Sequence, residues 1–102
     1  MEFRIQNGVT ATEVFLSGKL TMRDHDAFLQ MADSAAGSGA GRVVIDLSGI
    51  DFIDSAGLGL LLVAHEKARA QHRQGVILRR PQPHILRLLD LGDFRRVMTV
   101  EA

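Results

Sequence analysis

Phe3-Arg4-Ile5-Gln6 alternates apolar and polar residues, and Asn7-Gly8 follows with the dipeptide preferred in tight hairpin turns. Val9 to Leu16 resumes the pattern, with Val14-Phe15-Leu16 rich in strand formers, and Gly18 is expected to close it. Together these predict an N-terminal β-hairpin. Asp24 stands where it would cap a helix carrying Phe28, Leu29, Met31, Ala32 and Ala35, a spacing that makes one apolar stripe. Gly37-Ser38-Gly39-Ala40-Gly41 then breaks that helix.

Arg42 to Leu47 contains a short continuous apolar run, as in a strand buried on both faces. Ser48-Gly49-Ile50-Asp51 is expected to turn the chain, and Phe52-Ile53 to add two more buried residues. From Asp54 or Ser55 a second helix is predicted through Leu58, Leu61, Leu62 and Ala68 to about His72, apolar all round for two turns and polar from His65 onward. Gln74-Gly75 ends it and Val76-Ile77-Leu78 reads as a strand. Pro81-Gln82-Pro83 opens a third helix, His84 to Leu91, stopped by Gly92, and Val97 to Val100 reads as a short edge strand. The order β-β-α-β-α-β-α-(β) predicts an α/β or α+β layered domain, with helices packed on a mixed sheet. No internal repeat or linker interrupts it, so residues 1–102 are expected to form a single domain.

Composition narrows the function classes. The 102 residues suffice for one core and include no cysteine, which excludes disulfides, thiolate metal sites and a cysteine nucleophile. Twelve bases and twelve acids cancel, so no global field attracts nucleic acid. The halves differ: residues 1–64 hold four bases against eight acids, and residues 65–102 the reverse. The apolar run from Leu58 to Ala64 is far short of the roughly 20 residues of a membrane span, and Met1 to Ile5 shows no apolar signal region. A soluble cytoplasmic protein is expected.

The distinctive stretch runs from Val43 to Gly59: a buried strand, a tight turn and a serine at a helix mouth. On local grounds Ser55 or Asp54 is a helix cap, and a hydroxyl beside unpaired backbone donors also suits a phosphoryl group. Gly57 and Gly59 each cost about 1 kcal/mol inside a helix relative to alanine, which close approach of the sheet or of a partner would explain. A hydrolase elbow needs glycine two residues before the serine, where Ile53 stands. His65, ten residues on, is roughly 15 Å from Ser55, too far to abstract its proton. No phosphate-loop pattern occurs, and His65 and His72 lack the spacing of a metal pair. The four histidines are expected at solvated or partly buried positions. Arg79-Arg80 and Arg95-Arg96 form a basic patch without interleaved aromatics, which does not make a nucleic-acid platform. No enzyme activity, cofactor, metal or small-molecule substrate is expected.

Asp46, Ser48, Ile50, Phe52, Ile53, Asp54, Ser55, Ala56, Gly57, Leu58 and Gly59 match the signature of STAS domains, and specifically resemble the bacterial anti-sigma factor antagonists. Gly18-Lys19-Leu20 and Leu89 to Phe94 extend the resemblance over nearly the whole chain. It implies an α/β, STAS-like fold: a mixed β-sheet of four to five strands with three to four helices on one side. It further implies partner switching. The unphosphorylated protein binds an anti-sigma factor that is also a serine kinase of the histidine-kinase-like ATPase type, and phosphorylation at Ser55 releases it. By the same resemblance Thr21, Asp24, Asp54, Ala56, Gly57 and Leu58 contact that partner. Thr21 departs from the pattern, because many phosphorylated antagonists place an aspartate there; Asp24, three residues on, is the candidate replacement. STAS subunits of lipid-trafficking ABC transporters, and STAS modules of other signalling pathways, are similar in size and make the alternative readings.

Overall fold

A computed structural model of the chain describes residues 1–39, 41–71 and 74–102. Among these residues five strands form one mixed sheet in chain order: β1 (Glu2–Asn7), β2 (Ala11–Leu20), β3 (Arg42–Ile53), β4 (Val76–Arg79) and β5 (Thr99–Glu101). The first pair is the expected antiparallel hairpin, and every later pair is parallel. Three helices make the crossovers: α1 (His25–Ala36), α2 (Ser55–Ala70) and α3 (Pro83–Leu91). Sheet residues Val14, Leu16, Val43, Ile45, Leu47, Val76 and Leu78 pack into one core with Phe28, Met31, Leu61, Ala64, Ile85 and Leu89 of the helices. Alternate strand residues point one way only, so the helices lie on one side, as the resemblance implies.

Among the described residues no helix covers the other face, which is closed by charged side chains. Arg4 lies over the Phe15 ring at 4.6 Å, and Arg79 bridges Glu13 at 2.9 Å and Glu101 at 3.2 Å. Beneath them Val44 and Asp46 are buried, so Val43 to Leu47 is enclosed on both faces. The Asp46 carboxylate accepts from Ser48 N at 2.9 Å, from Ser48 Oγ at 2.6 Å and from the Arg80 guanidinium. Burial alone would raise its pKa; the bonds from Ser48 and the charge of Arg80 outweigh that and hold it below the usual carboxylate range.

Several expected boundaries move. Gly18 does not end β2, which runs on to Leu20 through register shifts on either side of Ser17-Gly18. Ser48 to Asp51 is not a turn: β3 continues to Ile53 because β2 keeps pairing with it through Leu20↔Ile53. α2 ends at Ala70, and the expected terminus at His72 lies outside the described residues. β5 begins at Thr99, after a short 3₁₀ turn at Phe94–Arg96. Among the described residues no helix is long and apolar enough to cross a membrane.

His65 corrects the expectation for the histidines. It is 4% exposed, and its Nδ1 accepts from Val76 N at 3.1 Å, joining α2 to the start of β4. The neutral ring therefore carries its proton on Nε2. Burial pushes its pKa below 6.5; Glu66 opposes that, and Arg69 adds to it. With the folded pKa below the unfolded one, the stabilisation is complete above about 6.5 and is lost as pH falls from there toward the folded value. Each unit between the two values is worth about 1.4 kcal/mol. Urea unfolding from about pH 7.5 to about pH 5 is expected to show this decline, and His65→Phe is expected to flatten it. An equally steep decline in the variant would place the titration elsewhere.

Candidate functional site

The site forms where β2, β3 and α2 meet. Asp54 is the N-cap of α2: its Oδ1 accepts from Gly57 N at 2.7 Å, and its Oδ2 accepts from Met22 N at 3.3 Å. Its own N–H donates to the Leu20 carbonyl at 3.3 Å. One residue thus closes β3, starts the helix and ties both to the segment after β2. Of the two cap candidates in the sequence, the structure selects Asp54. Ser55 is then the first residue of the helix, exposed, with its hydroxyl unengaged among the described residues.

The two helix glycines part company. Gly57 is buried, and a Cβ there would be driven into the Leu20 carbonyl oxygen, so its absence lets α2 seat against the end of β2. Its side of the helix faces the fold. At Gly59 a Cβ would meet open space, so nothing in the fold repays that glycine. Leu58 is partly buried and packs against the core, leaving only part of its side chain outward, and Ala56 beside it is also half-buried. The first two turns are apolar all round for two reasons: Gly57, Leu60, Leu61 and Ala64 face the sheet, while Gly59, Leu62 and Val63 face outward or lie between.

Thr21 caps a 3₁₀ turn, Met22–Asp24, in a capping box in which Asp24 Oδ2 accepts from Thr21 N at 2.9 Å. This replaces the expected role of Asp24, which occupies the N-cap position of α1 but makes no side-chain cap bond to it. Its other oxygen accepts from the Met1 amine at 3.1 Å. Burial opposes ionisation of Asp24, but the Thr21 N–H and the Met1 ammonium prevail and hold its pKa below the ordinary value. Thr21, Asp24 and Asp54 line one shallow depression of about 540 Å³ with Lys19, Met22 and Arg23. Met22, 70% exposed beside Asp54, is the residue that sequence reasoning missed. No periodicity marks it, because it lies in a turn between elements.

On the other edge of β3, Gln82 Nε2 donates to the Ser48 carbonyl at 3.1 Å, and His84 Nε2 meets the Asp51 carbonyl at 2.6 Å. These side chains cover the edge of β3 beyond the point where β4 stops pairing with it. Nothing among the described residues groups metal ligands or sets a base against Ser55, whose hydroxyl is exposed at the helix start.

The family model described as "Mlab, STAS domain" matches residues 3–100. The chain belongs to the STAS domain family. Solved structures similar to this STAS domain include an anti-sigma factor antagonist from Mycobacterium paratuberculosis, at 22% identity and TM-score 0.85, covering 98% of this chain and 84% of that one. The Bacillus cell fate determinant SpoIIAA in its phosphorylated form shares 19% identity at TM-score 0.71, over 99% and 92% of the two chains. An anti-sigma-factor antagonist (STAS) domain protein from Planctomyces limnophilus shares 16% at 0.83, over 98% and 89%. At these identities the likeness is one of fold. No curated protein matches the chain.

The glycines give opposite expectations. Gly57→Ala should destabilise by about 1–3 kcal/mol, because a backbone carbonyl cannot yield, and Gly59→Ala should stabilise by about 0.5–1 kcal/mol. Urea midpoints measure both; equal effects would show that α2 is not seated on Leu20 as described.

Proposed function

We propose that this STAS domain is an anti-sigma factor antagonist acting in the cytoplasm, with phosphorylation at Ser55 switching its partner. The observation that carries the reading is Ser55 itself: exposed, unengaged and first in α2, while Asp54 does the capping. A phosphate there adds about −1.5 to −2 charges without removing any bond that holds the fold. At this exposed position the helix N-terminus returns about 0.3–1 kcal/mol of stabilisation to it. Across an interface the balance reverses. A dianion about 6 Å from a partner carboxylate is repelled by about 1.4 kcal/mol in water and about 5.5 kcal/mol at an effective dielectric near 20. Modification therefore switches binding and leaves folding intact. The partner of this reading is a kinase-type anti-sigma factor, docking over Met22, Ser55, Ala56 and the outer part of Leu58. Asp24 supports it by placing a carboxylate beside Thr21, where the family's aspartate is missing.

A second reading makes the domain the STAS subunit of a lipid-trafficking ABC transporter, held by the same surface without a switch. It draws on the matching family model and on Thr21, whose side chain is spent on a capping box.

A kinase-type anti-sigma factor from the same host should label the wild type and leave Ser55→Ala unlabelled; equal labelling of both rejects Ser55 as the acceptor. Ser55→Asp should melt within about 0.5 kcal/mol of wild type yet lose that partner, and Met22→Asp should do the same. If both variants lose binding to an ABC ATPase instead, the transporter reading takes its place.

A further inference from the structure

A second recess lies at the other end of α2, with His65 ten residues, roughly 15 Å, along the helix from Ser55. It is a shallow cleft of about 430 Å³ between the helix and the edge of β5, lined by His65, Gln74, Arg95, Arg96 and the segment from Val97 to Val100. Its side chains include two guanidinium groups, an imidazole, a primary amide and a threonine hydroxyl, and no carboxylate. Arg95 spends its Nε on Asp90 at 3.0 Å, outside the lining, and the rest of its planar fork remains. Arg96 is exposed.

His65 supplies an independent observation. Because His65 Nδ1 accepts from Val76 N, Nε2 is the donor, and it is buried with no partner among the described residues. A buried donor left unpaired costs about 1–3 kcal/mol, so the ligand-free cleft holds a deficit that an acceptor oxygen would remove. Guanidinium groups match oxyanions with paired, directional N–H donors; Arg95 shares its charge with Asp90, and Arg96 has no carboxylate partner among the described residues.

We propose that this cleft is an oxyanion site of the phosphate class, in which Arg95 and Arg96 hold the anion and His65 Nε2–H donates to it. The site is separate from the helix start and does not depend on phosphorylation of Ser55.

Inorganic phosphate titrated at constant ionic strength into the isotope-labelled full chain tests it. The expected result is saturable NMR shifts at His65 Nε2–H and at the amides of Val97, Met98 and Thr99. Arg96→Gln, a change at an exposed position that should fold as wild type, should weaken binding at least about tenfold. Phenyl phosphate forms the second arm. Binding of the ester as well as the ion assigns the site to the phosphoryl group of a larger molecule, and binding of the ion alone assigns it to free phosphate. Absence of saturation, equal affinity in Arg96→Gln, or shifts confined to residues 54–58 would overturn the assignment.

Discussion

The Asp54 carboxylate is the constraint on which the site depends. One oxygen satisfies the first turn of α2, and the other holds the segment after β2 through Met22 N. Its backbone N–H reaches Leu20 in the same strand end. An N-cap is worth about 1 kcal/mol for its helix alone. Here the same group also fixes where the helix starts relative to the sheet, and it leaves Ser55 with no structural duty. A residue free of structural duty is one that can be modified without cost to the fold.

Much of this was legible in the sequence, because the signals were local. The hairpin, the doubly buried first half of β3 and the start of α2 follow from Asn7-Gly8, Val43-Val44-Ile45 and Asp54-Ser55. The missing parts came from tertiary pairing. Ser48-Gly49 looks like a turn until β2 holds it in a ladder, and Gly18 looks like a terminator until the strand shifts register across it. Two features were recoverable from helical phase. Gly57 shares the face of Leu60, Leu61 and Ala64, whereas Gly59 shares the face of Val63 and Glu66. Likewise His65 stands one turn from Leu61 and from Ala68, on the buried stripe. Met22 left no trace, since exposure in a turn has no period.

The helix-free face shows how an open sheet surface is kept from being sticky. Val44 and Ile77 are covered by the stems and ion pairs of long side chains rather than by a layer of secondary structure. Arg79, between Glu13 and Glu101, does this across three strands. The domain thereby keeps its apolar exposure near α2 and in scattered residues.

Strand order equals chain order, and this has a consequence for how the molecule comes into being. Each new strand pairs with the one made before it, so no strand must be inserted between two that already exist. The growing sheet offers a single fresh edge at each stage. Met22, Asp54 and Ser55 all precede β4, so the junction of β2, β3 and α2 can begin to take shape on a ribosome-bound chain before the arginine-rich last third has emerged.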